Sequence, residues 1–184
     1  IVGGTGWNEW RKSQERHTAE AFGDAVLAAL SKDDRAARAD ALAAVDAPNP
    51  GAAATRDLLA AAEATANTPQ DAAQRLLALA GSDGIEPVYR RIAILKAVSI
   101  PGSGLSIEDR RSRLDGLALS DGLTRLLAEE QLALIDIETG DARSALDRLQ
   151  TVVADAQATP GLRRRASQVI VALGGDVPQT GQGG

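Results

Sequence analysis

Small apolar residues recur along this chain at three- and four-residue steps, interrupted at intervals by glycine, proline and capping residues. That period puts them on one face of each of a series of helices. Residues from about Trp7 to Leu30 favour a first helix. Its first half, "RKSQERHT", is polar all round and predicts a solvated segment. Its second half carries Ala19, Phe22, Val26 and Leu30 at helical steps, which predicts one buried stripe. A second helix over about 33–46 stops at "APNPG", where two prolines and a glycine force a turn. A third covers about 52–66. "NTPQD" then reads as a helix start, with Thr68 as N-cap, Pro69 at the first position and Asp71 in the first turn. That helix ends at "GSDG", and the next runs from about Glu86 to Ser99 and stops at "PGSG". Ser106 with Asp109 makes a start like a capping box for 107–118. Ser120 is expected to start a long helix ending at Gly140, Asp141 to cap the following one, and Thr159-Pro160 to begin the last. No segment reads as a strand. The expected class is all-α, with short loops between antiparallel neighbours.

Composition says what fills such a structure. Hydrophobic residues make up 44% and aromatics only 2%, so the core is built from alanine and leucine and the helices can approach closely. The net charge is −5, which argues against a nucleic-acid partner, since displacing counterions needs a basic face. There is no cysteine, which excludes disulfides, thiolate zinc sites and cysteine nucleophiles and fits a cytoplasmic or a periplasmic address equally. There is no methionine even at position 1, so further residues are expected upstream of Ile1.

Candidate chemistry is sparse. "IVGG" at 1–4 matches the exposed start of an activated trypsin-like protease. Such an enzyme needs a His base, an Asp and a Ser nucleophile in a Gly-Asp-Ser-Gly-Gly setting, on a β-rich chain with aromatics. None of that context is present, so the match is coincidence. The single histidine, His17, has no co-ligands beside it and reads as a surface residue. The adjacent acids in "KDD" (32–34) and "AEEQ" (128–131) point in different directions on a helix and read as solvated faces. "GSDG" and "PGSG" lack the Gly-Lys-Ser/Thr ending of a phosphate loop and read as turns. No catalytic, cofactor-binding or metal-ligating set emerges, so neither an enzyme nor a small-molecule substrate is expected. Three arginine clusters remain: Arg90-Arg91, Arg110-Arg111-Arg113 and Arg163-Arg164-Arg165. The preferred reading is solvated faces with ion pairs. The functional alternative is a protein-partner contact, for which Arg90, Arg91, Arg163, Arg164 and Arg165 are the candidates.

The segment "LALIDIETGDARSALDRLQTVV" carries an internal repeat. Leu132, Ala133 and Ile135 lie on the helix before Gly140-Asp141, and Ala145, Leu149 and Val152 on the helix after it. The full second stripe is Ala142, Ala145, Leu146, Leu149, Val152, Val153 and Ala156. This resembles the tetratricopeptide repeat, a helix pair of about 34 residues. Glu129 and Asp136 stand at that repeat's Trp and Tyr positions. An upstream copy has Ala60, Ala61 and Ala64 before "NTPQD" and Ala73, Leu77 and Ala80 after it. A degenerate middle copy places Ile94, Leu95 and Val98 on one helix and Ile107 and Leu114 on the next, with Arg111 where an apolar residue is expected.

"IVGGTGW" supplies only seven apolar or small residues, whereas a membrane span needs about 20. It reads as the trailing end of a span, with Trp7 and Trp10 at the headgroup level. The Gly-Gly-x-x-Trp start, the charged stem, "AEAFGDAVLAAL" and the repeat array ending "GDARSALDRL…TPGLRRRASQVIVALGG" resemble the YfgM-like, tetratricopeptide-repeat-like membrane proteins of proteobacteria. The resemblance covers most of the chain, best at 123–175. It implies a solenoid of about three helix pairs plus a stem helix. Its domains would be 1–32 as span end and stem, 33–173 as helical domain and 174–184 as a flexible Gly-rich tail. It also implies one N-terminal span in the bacterial inner membrane, a periplasmic domain, and an ancillary role with protein partners at the Sec translocon and a periplasmic chaperone. Arg11, Lys12 and Arg16 pull the other way, because positive flanks stay in the cytoplasm; a more basic arm before the span is expected to decide it. A second reading is a structural accessory subunit of another membrane complex.

Overall fold

The computed structural model describes the backbone of residues 4–178 and the side chains of residues 7–178. The described residues form nine helices and no strand. They are α1 (Gly4–Leu30), α2 (Arg35–Ala43), α3 (Pro50–Ala64), α4 (Pro69–Gly81), α5 (Pro87–Ser99), α6 (Ile107–Ala118), α7 (Gly122–Glu138), α8 (Ala142–Ala154) and α9 (Pro160–Ala172). Two compact units result, Ile1–Gly104 and Leu105–Gly184. Residues 1–3 of the expected span end and 179–184 of the expected tail lie outside the described residues.

Local chemistry explains most of the helix starts. Asp34, Asn49, Ser106, Asp141 and Thr159 each accept a hydrogen bond from a backbone N–H in the first turn, satisfying donors that have no partner within the helix. Proline opens α3, α4, α5 and α9, where its missing N–H costs nothing. Ser106 Oγ also donates to Asp109 Oδ2 at 2.7 Å, so the pair expected from sequence does form. Two expectations need correcting. Thr68 sits at the N-cap of α4 but its side chain makes no capping bond. Ser120 does not start α7: Asp121 occupies that N-cap, and Ser120 Oγ donates back to the Leu117 carbonyl at 2.6 Å, closing α6.

The helix ends follow a similar logic. Gly140 takes φ +83° after α7, and Asp141 N–H reaches back to the Asp136 carbonyl at 2.8 Å, a Schellman-type closure. After α9, Gly175 lies so close to α8 that a Cβ there would strike the tip of Leu146 and press tightly on Ile170. The C-terminal turn of α9 is thereby pressed onto α8.

In the first unit, α1 packs on α2, α2 on α3, α3 on α4 and α4 on α5. One core joins Ala29 of α1 to Leu42, Val45 and Ala60, with Phe22, Val26 and Leu30 against it. A second joins Ala54, Ala61, Ala72, Leu76, Ala93 and Ala97. Ala19 is exposed, so the stripe of α1 begins one turn later than expected. Residues 7–21 of α1 are exposed except for Ser13, which is half-buried, and this agrees with a polar, solvated first half.

In the second unit, α6 packs on α7, α7 on α8 and α8 on α9. Leu126, Ala133, Ala145, Leu149, Val152, Leu162, Ala166 and Ile170 form its core. Of the expected α8 stripe, Ala145, Leu149, Val152 and Val153 are buried and Leu146 is half-buried. Ala142 is exposed in the first turn, and Ala156 lies exposed beyond the end of the helix.

Gly140 tests the turn chemistry. Nothing lies within 4 Å of a Cβ built there, so Gly140→Ala meets only the left-handed backbone penalty. Urea unfolding should show a loss of about 1 kcal/mol with an unchanged m-value.

Candidate interaction surfaces

The second unit carries a chain of ion pairs between its helices. Asp136 on α7 is 3% exposed, yet it holds two guanidinium groups. Arg111 Nη2 of α6 donates to its Oδ1 at 2.6 Å, and Arg148 Nε of α8 to its Oδ2 at 2.9 Å. Arg148 Nη1 also donates to Glu129 Oε2 at 2.6 Å. Burial of the Arg148 guanidinium opposes its charge, but the hydrogen bonds and charges of Glu129 and Asp136 outweigh that and hold its pKa above the ordinary value. Next to Glu129, Glu130 accepts from Arg165 of α9 on both carboxylate oxygens, from Nε at 2.9 Å and from Nη2 at 2.8 Å. The hydrogen bond to Glu130 likewise raises the Arg165 pKa. Arg125 pairs with Asp155 at 2.6 Å. The Gln157 backbone N–H and then Arg125 hold the Asp155 carboxyl below its usual range. In the first unit the comparable contact is Arg38 of α2 on Glu63 of α3, at 2.9 Å, which lowers the Glu63 pKa.

These pairs correct the reading of "AEEQ" as a solvated face. Glu130 is 8% exposed and Glu129 is half-buried, each bound to an arginine from another helix. Sequence gave no signal of this, because Arg165 lies 35 positions from Glu130 and Arg111 lies 25 from Asp136. A pairing across that separation depends on tertiary packing and leaves no local pattern.

The arginine clusters separate into bound and unbound members. Arg163 closes the C-terminal end of α8, donating to the carbonyls of Val153, Asp155 and Ala156. Arg90 donates to the Ser82 carbonyl after α4, at 3.4 Å. Arg110 pairs with Glu138 at 2.8 Å, while its buried Nε has no partner. Arg91 and Arg164 are exposed and take part in no ion pair among the described residues. With Arg113, which is likewise exposed and in no ion pair among the described residues, they are the cluster members left available to a partner.

Of the repeat residues, Leu132, Ala133, Ala145, Leu149 and Val152 are buried, Gly140 makes the turn, and Asp141 accepts from Ser144 N–H at 3.1 Å. In the middle copy Val98 and Leu114 are buried, Ile94 and Leu95 half-buried, and Ile107 exposed.

Trp7 and Trp10 do not pack on either unit's core. They are 61% and 54% exposed and stack on each other with centroids 5.3 Å apart. His17 lies on the same exposed stretch, with Nδ1 3.6 Å from Glu20. Among the described residues no group of His, Asp and Glu could hold a metal ion, and no helix is long and apolar enough to cross a membrane. A cavity of about 220 Å³ opens between α2, α3 and α4. Its walls mix alanine methyls with Asp40, Asp71 and Arg75, so charges of both signs face it. Comparison with known proteins finds no matching family, no matching characterised protein and no matching solved structure.

The ion pairs yield three predictions. Asp136→Ala leaves two largely desolvated guanidiniums short of a partner and should lower stability by about 3 kcal/mol. Arg110→Met breaks a half-exposed pair but also removes an unpartnered buried donor, and should change stability by no more than about 0.5 kcal/mol in urea unfolding. Asp155, whose folded pKa is depressed, contributes stability that is fully present above about pH 4 and is lost as pH falls toward the folded value. Asp155→Asn should therefore lower stability at neutral pH and flatten its fall in acid, as followed by circular dichroism.

Proposed function

We propose that this chain is a tetratricopeptide-repeat-like interaction scaffold of about three helix pairs, carried on a stem helix and tethered at the bacterial inner membrane. The α7–α8 hairpin is the observation that carries the reading. It turns at Gly140-Asp141 and buries Ala145 among Leu126, Ala133 and Leu149. Where the tetratricopeptide pattern has two aromatics, this chain has Glu129 and Asp136, and Arg148 bridges both. Arg111, out of place as an apolar position, supplies the second partner of Asp136. Both departures are thus accounted for by one polar replacement of an aromatic contact. Helices that pack on their chain neighbours suit a repeat array, which presents extended surfaces to partners. The exposed polar half of α1 suits a stem, and its stacked indoles suit the membrane interface.

The function follows as holding a protein partner on the periplasmic face, in an ancillary role beside the Sec translocon and a periplasmic chaperone. Arg91 and Arg164 are the proposed contact residues. The natural protein, extracted from bacterial membranes in mild detergent, should co-purify translocon components and a periplasmic chaperone. Arg91→Glu with Arg164→Glu should reduce that recovery while leaving the melting temperature unchanged. Recovery of the protein with neither component would overturn the assignment.

A further inference from the structure

We infer that the N-terminal half of α1 docks end-on against an anionic phospholipid surface, with Trp7 and Trp10 among the headgroups and Arg11, Lys12 and Arg16 just above them. This rests on the membrane-tethered reading and deepens it by naming the lipid chemistry and the orientation.

Three observations carry it. The chain's two tryptophans are both exposed, mutually stacked and without a partner in either core. Indole has an apolar body and a polar N–H, a combination stabilised at the boundary between headgroups and acyl chains. Second, charge changes sign here. Residues 7–16 hold Arg11, Lys12 and Arg16 against Glu9 and Glu15, three cations to two anions, in a chain whose net charge is −5. A locally cationic segment beside the indoles offsets the repulsion that an acidic chain meets at an anionic surface. Third, the residues are arranged around the helix in a way that sets its orientation. At about 100° per residue, Trp10 and Arg11 flank Trp7, while Lys12 and Arg16 project from the opposite side. A helix lying flat would bury the indoles only by lifting Lys12 and Arg16 away. A helix standing on the surface keeps all five in reach, because each side chain leans toward the helix N-terminus. Arg16 shows this lean, with Nε donating to the Lys12 carbonyl at 3.2 Å. Along the axis, Trp10 and Arg16 are about 9 Å apart, close to one Debye length at physiological salt.

Standing end-on, α1 acts as a strut. From Trp10 to Phe22, the first side chain of α1 packed on the core of α2 and α3, is about 18 Å along the axis.

Because both tryptophans lie in the proposed site, intrinsic fluorescence reads it directly. The 184-residue chain is titrated with vesicles of phosphatidylcholine alone and of phosphatidylcholine with phosphatidylglycerol. The expected result is a blue shift of emission and protection from acrylamide, with roughly fivefold tighter binding to the anionic vesicles. That preference should weaken with salt. The triple variant Arg11→Gln, Lys12→Gln, Arg16→Gln should lose the preference with its tryptophans still in place. Trp7→Ala with Trp10→Ala, followed by vesicle flotation, should float less than the parent. All five positions are exposed, so the variants should retain the parent's circular dichroism. Emission unchanged by vesicles, equal affinity for both compositions, or flotation indifferent to the tryptophans would overturn the inference. A blue shift that follows protein concentration in the absence of lipid would also overturn it, pointing to a second copy as the occupant. Fractionation of the natural protein tests the tether separately. A membrane-bound natural protein whose chain ignores anionic vesicles sinks the lipid contact and leaves the tethered reading intact.

Discussion

Ala54, Ala72, Ala93, Ala133 and Ala145 are fully buried within the helical cores, and a methyl group there lets two backbones come closer than a leucine would allow. Nearly everything else about the molecule answers to that constraint. With a single Phe and a single Tyr in the chain, each packed against one core of the first unit, large rings fill little of the space between helices. Close approach also makes each position sensitive to added volume. Gly175 is the extreme case, where one methyl would strike Leu146. Packing of this kind supplies dispersion and hydrophobic stabilisation, but smooth alanine surfaces set the sliding register of two helices only weakly.

The ion pairs supply that register. A carboxylate such as Asp136, bound on both oxygens by arginines from α6 and α8, fixes the height and rotation of three helices at once. Arg165 on Glu130 does the same between α9 and α7. Desolvating these groups costs much of what their attraction returns. Their contribution is therefore better understood as specificity than as net stability. Leu, Met or Phe at these positions would bury more apolar area but would tolerate several registers. A bidentate guanidinium contact tolerates one.

How far the sequence disclosed this depends on the range of the interaction. Helix existence and most boundaries were legible, because caps such as Asp141 and breakers such as "APNPG" act over three or four residues. The Ser120 error shows the limit of that logic. A serine beside a helix start was equally able to close the preceding helix, and its hydroxyl chose the Leu117 carbonyl. The α8 stripe was legible apart from its first and last members, where the helix ends leave alanine facing water. The ion pairs were not legible at all. Arg111 looked like a defect in a repeat and Asp136 like a lost aromatic, and neither sign says that the two meet. Among the arginines, composition could count the clusters but could not separate Arg163, which closes a helix end, from Arg164 beside it, which is unpaired.

The same contrast divides α1. From Phe22 onward its side chains meet the core of α2 and α3, so its helical state is supported by burial. Over the described side chains of residues 7–21 burial gives little such support, and a helix without tertiary contacts is marginal in water even when its sequence is favourable. The first half gains by continuing a helix already nucleated on the domain side, so that each further residue adds a hydrogen bond without repeating the nucleation cost. Its stability then rises with any contact at its far end. Placing both tryptophans there, rather than in the aromatic-poor cores, puts the chain's most adhesive side chains at the point where an outside surface stabilises the helix most.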